Sequence, residues 1–174
     1  MGFQTTVNII PAPAQAGDFA SANPRASVLA GPGSLITGTG GVTVGRFAWA
    51  APASGADVLS GTTQGLSLVT NAGAGVPTGF VHREQQALIT VFLGETSNLV
   101  PAGIPITLHQ AGDFWAQTLT TATIGQKVFA SNTDGTVKTG AALATIAGYT
   151  ETKWLVGSVG AVNELIKITT WANG

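Results

Sequence analysis

Glycine and proline interrupt this chain every ten residues or so, and that spacing limits what it can fold into. A helix of several turns needs an uninterrupted run, because an interior Gly costs ~1 kcal/mol and an interior Pro ~3 kcal/mol. Between the breakers lie short runs rich in Val, Ile, Thr and aromatics: Val42–Trp49, Leu66–Thr70, Ala87–Leu93, Ile104–His109, Lys153–Val159 and Leu165–Trp171. Their length and composition are those of strands. Val128–Ala130 and Thr136–Lys138 flank Asn132-Thr133-Asp134-Gly135, and Asp-Gly signals a hairpin because Gly accepts positive φ. Val81–Leu93 carries helix-favouring Glu84, Gln85, Gln86 and Ala87, but its second half is β-branched and aromatic and reads as strand. The expected class is all-β, as a jelly roll or β-sandwich or as small barrels.

The pentapeptide QAGDF occurs twice, at Gln15–Phe19 and at Gln110–Phe114. Downstream, Thr43-Val44-Gly45-Arg46-Phe47-Ala48-Trp49-Ala50 lines up with Thr123-Ile124-Gly125-Gln126-Lys127-Val128-Phe129-Ala130. Two motifs in the same order point to two related β-modules. The first copy is longer, and the excess falls in Ala20–Val42, an excursion punctuated by Asn23-Pro24 and Gly31-Pro32-Gly33. The expected organisation is an extended arm over 1–16, a first module over 17–76 and a second over 77–174, the two modules able to form one compact domain.

Composition narrows the function. Hydrophobic residues make up 44% of the 174, so the chain can build a core, but charged residues are only 9%, against roughly 25% in an ordinary soluble domain. A surface so poor in charge suits a protein covered by neighbours in an assembly. Arg25, Arg46, Arg83, Lys127, Lys138, Lys153 and Lys167 are scattered, with no basic stripe for nucleic acid. The longest apolar stretch, Ala87–Leu93, is too short to span a bilayer. Met1–Gly17 lacks the basic start of a secretory signal. No nucleic acid and no membrane are expected as partners.

Catalytic chemistry finds few candidates. With no Cys there is no thiolate site. His82 and His109 are the only histidines, and His109 precedes Asp113 by four residues, a spacing that suits two ligands on a helix but not on a strand. No G-x-S-x-G turn is present, and the carboxylates are spread singly. Asp18 and Asp113 hold equivalent repeat positions, where an Asp after Gly is expected to cap a turn. No catalytic residue, metal ligand or cofactor is expected.

Interaction remains. Met1–Gln15 is uncharged, and Pro11 and Pro13 bar a stable helix at its end. Such an arm can lie across a neighbour or form the first strand of its own sheet. Then come runs that carry a resemblance. GDFASANPRASVLAGPG at Gly17–Gly33, GVTVGRFAW at Gly41–Trp49, PTGFVHREQQALIT at Pro77–Thr90, VPAGIPITL at Val100–Leu108, GDFW at Gly112–Trp115 and GQKVFASNTDGTV at Gly125–Val137 are similar to the cement (decoration) proteins of tailed-bacteriophage capsids.

That resemblance implies a non-enzymatic β-protein, made in the host bacterial cytoplasm, that binds the outer surface of the expanded capsid and bridges major capsid protein subunits. It implies a homo-oligomer, and the commonest closed assembly is a dimer, favoured here over a trimer. Candidate contact segments are the arm Gly2–Ala14 and the excursion Ala20–Thr37, with Phe3, Val7, Ile9, Pro11, Pro13, Phe19, Asn23, Arg25 and Leu35 as candidate contacts. Most of the aromatics Phe19, Trp49, Phe80, Phe114, Trp115, Trp154 and Trp171 are expected in the core. The alternative is a receptor- or glycan-binding β-module of a phage tail or bacterial surface, weakened by the single Tyr149 and the sparse charge.

Overall fold

The structure is a computed structural model that describes residues 13–30, 34–52, 67–83 and 98–171. Among them the first seven strands are β1 Ala26–Ser27, β2 Leu35–Thr37, β3 Val42–Thr43, β4 Phe47–Pro52, β5 Ser67–Thr70, β6 Gly79–Val81 and β7 Leu99–Val100. Six more follow: β8 Leu108–Ala111, β9 Asp113–Gln117, β10 Lys127–Ser131, β11 Val137–Gly140, β12 Tyr149–Val156 and β13 Leu165–Thr169. No helix occurs among the described residues. The expected strand Ala87–Leu93 lies outside them.

The strands form a six-stranded sheet, ordered β1-β8-β6-β4-β5-β2, a five-stranded sheet, ordered β11-β10-β12-β13-β9, and a β3-β7 ribbon. The architecture is all-β and sandwich-like. All pairings are antiparallel except β2 with β5. The chain changes sheets at Gly112, between β8 and β9, so β6 and β8 belong with the strands before residue 77.

Two cores explain the strand sequences. In β4, Phe47 and Trp49 face one core while Ala48 faces the other. In β6, Phe80 and Val81 divide the same way. A strand buried on both faces reads as a continuous apolar run, and FAWA and GFV do. The first core joins the two large sheets: Phe47, Trp49 and Phe80 meet Phe114, Val128, Trp154, Ile166 and Ile168. Phe80 sits at its centre, with ring centroids of Phe47 and Phe114 at 5.2 Å and of Trp154 at 6.0 Å. Fully burying such a side chain contributes about 1.5–3 kcal/mol. The second core lies under the ribbon, where Val42 and Val100 pack with Leu35, Val69, Val81 and Leu108. By contrast β13 alternates, Ile166 and Ile168 inward and Lys167 outward, because only one of its faces is covered.

Irregular segments cap most of the sheet edges. Residues after β9 cross to the opposite edge, where Leu119 N–H donates to Val137 O at 2.9 Å and Thr139 N–H to Thr120 Oγ1 at 2.8 Å. Residues before β8 do the same for β2: Thr37 N–H donates to Ile104 O and Ile106 N–H to Leu35 O. Thr37, itself buried, also donates its hydroxyl to Pro101 O and accepts the Ile104 N–H. The exposed edge β1 is only two residues long, which limits unwanted pairing.

The Asp-Gly hairpin forms as expected between β10 and β11, with Gly135 at φ 68°. Its tip docks on the other sheet through Phe47 N–H to Gly135 O at 2.9 Å and an Arg46–Asp134 ion pair at 3.6 Å.

Candidate interaction surface

The two QAGDF copies pair with each other. Phe19 bridges Phe114 antiparallel, Gly17 N–H donates to Trp115 O at 2.7 Å, and Trp115 N–H to Asp18 O at 2.9 Å. Gly17 and Gly112 both hold positive φ, at 95° and 136°. The Thr-[Val/Ile]-Gly motifs are alike too: Gly45 and Gly125 have positive φ, at 73° and 86°, and each leads into a strand, β4 or β10. The first copy thus forms a strap along the outer edge of β9.

Side chains fasten this strap. Asp113 accepts hydrogen bonds from the Ser21 hydroxyl, the Asn23 amide at 2.6 Å and the Thr169 hydroxyl. Partial burial alone would raise its pKa, but those three donors and the nearby Lys167 charge outweigh it and hold the carboxyl below its ordinary 3.8. Asp18 caps its turn as expected, accepting the Gln15 N–H at 2.9 Å, and faces Arg83 at 3.6 Å. Asp113 departs from that expectation and serves as the anchor for three side chains instead.

Phe19 stacks on His82 with centroids 3.8 Å apart, and the Arg25 guanidinium lies 3.8 Å from the same ring. Both fit at that distance only on opposite faces, so the ring is sandwiched. His109 is buried beside it, its ring 5.1 Å from that of Phe114. The two histidines therefore belong to an aromatic cluster. Among the described residues no group of three or more His, Cys, Asp or Glu is placed to hold a metal ion.

The candidate contacts fare differently. Phe3, Val7, Ile9 and Pro11 lie outside the described residues, while Pro13 is exposed. Phe19, Asn23 and Arg25 come together, and all three are engaged in holding the strap. Leu35 is buried in the second core and has little surface to offer a neighbour. Of the aromatics, Trp49, Phe80, Phe114 and Trp154 are core, and Trp171 is exposed.

The structure also displays apolar side chains that the strand pattern does not mark. Leu29 is 95% exposed and Leu143 90% exposed, and Ile124, Val159 and Val162 are exposed in the loops between β9 and β13. The available signal is weak: each lies in a turn-rich stretch among Gly, Ala, Ser or Thr.

A family model described as the XM1 gp53 minor capsid protein matches residues 3–170. The chain belongs to this family. A chain of the solved structure "The capsid of Myoviridae Phage XM1" superposes with a TM-score of 0.58 at 15% identity, covering 99% of both chains. At that identity the likeness speaks to the fold. No curated protein sequence matches significantly. Membership places the protein among phage minor capsid structural proteins, a class that implies a non-enzymatic role.

Proposed function

We propose that this minor capsid protein binds the outside of the expanded capsid as a homo-oligomer, and stabilises the shell by bridging major capsid protein subunits. The observation that carries the reading is the family match over nearly the whole chain. The surface chemistry supports it. Charge is scarce, and bare leucines and valines stand on loops where a free protein gains nothing from them. A contact of ~800 Å² per partner suffices when one oligomer engages several subunits at high effective concentration. Few charges also keep the desolvation cost low.

Stabilisation follows from linkage: a ligand that binds the expanded shell more tightly than the unexpanded or ruptured one shifts the equilibrium towards the intact state. The glycan-binding alternative is weakened by the aromatics themselves. Trp49 and Trp154 are buried, and Lys138 lies over the Tyr149 ring at 4.4 Å, which leaves Trp171 as the one exposed tryptophan among the described residues.

Co-sedimentation with undecorated shells tests the proposal. Saturable binding to expanded but not unexpanded capsids, at a fixed ratio to capsid protein, is the expected result. Binding to neither shell refutes it.

A further inference from the structure

Leu143 stands in the loop between β11 and β12, and Ile146 of that loop lies close to Gly140 at the end of β11. Leu143 is 90% exposed, and its φ is +63°, in the left-handed region. Asn163 is the only other non-glycine described residue with positive φ, and Asn tolerates that region far better than Leu. A leucine thus sits where it is strained and where its side chain is bare to solvent. The loop that holds it is ordered by its own bonds. Leu143 N–H donates to the Glu151 carboxylate at 2.6 Å, Ala144 N–H to Ala141 O, and Tyr149 N–H to Ile146 O. From Thr139 to Thr150 the sequence carries no charge. Glu151, the first charged residue after it, holds the turn.

Local strain, a hydrogen-bonded loop and an uncharged apolar tip together describe a preformed anchor. We propose that Leu143 is a capsid contact, inserting into an uncharged apolar pocket on the major capsid protein. The inference rests on the capsid-binding reading and names one point of attachment. The apolar tip, Ala141-Ala142-Leu143-Ala144, selects the partner's chemistry: a charged or sugar-lined pocket would leave its polar groups unmatched against Leu and Ala.

The strain makes the test sharp. Leu143→Asn suits the left-handed backbone and removes the apolar tip. Free Leu143→Asn protein is therefore expected to melt no lower than wild type, while its affinity for expanded shells falls at least about tenfold, the scale of losing one buried Leu. Glu151→Gln, which keeps Leu143 but weakens its tether, is expected to give a smaller loss. Unchanged shell affinity in Leu143→Asn overturns the inference and leaves the capsid reading standing. A changed mass of the free oligomer, with shell affinity per oligomer unaltered, also overturns it and assigns Leu143 to a second copy of this chain. Failure of the wild type itself to bind shells removes the capsid reading and the inference with it.

Discussion

Replacing Gly135 by Ala isolates the contact between the two large sheets. Gly135 holds φ +68°, and a Cβ built on it would lie 2.0 Å from the Phe47 carbonyl oxygen. That overlap involves backbone, so no rotamer relieves it; the hairpin tip must move away from β4. Moving it breaks the bond from Phe47 N–H to Gly135 O, at a residue that is fully buried. The left-handed backbone costs an alanine ~1 kcal/mol, and a stranded buried N–H costs about 1–3 kcal/mol more. The expected loss is about 2–4 kcal/mol, or roughly 5–15 °C in Tm for a chain of this length. Gly125→Ala is the matched control. Gly125 also has positive φ, at 86°, but nothing lies within 4 Å of its Cβ position, so only the backbone cost of ~1 kcal/mol applies. Urea and thermal unfolding of both variants measure the difference. If Gly135→Ala is no less stable than Gly125→Ala, the docking of the hairpin on β4 is wrong.

Three further substitutions, the last with a control, probe the strap and the β2 edge. Asp113→Asn weakens the anchor for Ser21, Asn23 and Thr169 and is expected to cost about 1–3 kcal/mol at neutral pH. Because folding lowers the Asp113 pKa, its contribution is fully present above the ordinary 3.8 and fades as pH falls through the lower native value, so the gap between variant and wild type should close below about pH 4 in acid unfolding. Phe19→Ala removes the ring that His82 and Arg25 enclose and that packs on the first core, freeing the strap; trypsin should then cut after Arg25 several-fold faster, with some loss of Tm, and an unchanged rate would refute the strap's attachment. Thr37→Val strands the Ile104 N–H and is expected to cost about 1–3 kcal/mol in urea unfolding, with Thr43→Val at a half-buried position as a milder comparison.

How much of this was legible depends on where each strand's side chains go. β4, β5, β13 and the β10–β11 hairpin are visible because their inward residues are large and apolar or their turn is Asp-Gly. The run Lys153–Val159 captures only the end of β12, which starts at Tyr149: Thr150, Glu151 and Thr152 are polar, and Thr152 is buried by donating to Val128 O. Ile104–His109 reads as one strand, yet its first residues pair with β2 and only Leu108 onward joins the β8 ladder. β9 starts within the second QAGDF motif and runs on past it to Gln117. β1 and β2, two and three residues long, hide in the excursion and sit at opposite edges of the six-stranded sheet. The repeat could be seen, but not that its copies pair, since pairing is a long-range property. Surface position is the least legible. Leu35 and Leu29 are both leucines near turns, and nothing local says that one is buried and the other bare.

The double-sided burial of the six-stranded sheet bears on how a bridging protein would discriminate between shells. β4 and β6 are packed from both faces, and the hairpin tip and the strap tie the five-stranded sheet to them through backbone hydrogen bonds. Such a body transmits strain instead of absorbing it. A compliant linker would follow capsid subunits as their spacing changes and would bind both shell states alike, and equal binding shifts no equilibrium. A rigid one fixes the distance between its contacts, so only one spacing on the shell satisfies all of them together. On the proposed function, selectivity for the expanded capsid then comes from geometry on the shell side, with little change in this protein. Glycine inserted at the hairpin tip, between Asp134 and Gly135, should accordingly reduce the preference for expanded over unexpanded shells more than it reduces binding itself. An unaltered preference in a variant whose sheets have demonstrably loosened, by faster hydrogen exchange at Phe47, would show that rigidity is not the source of selectivity.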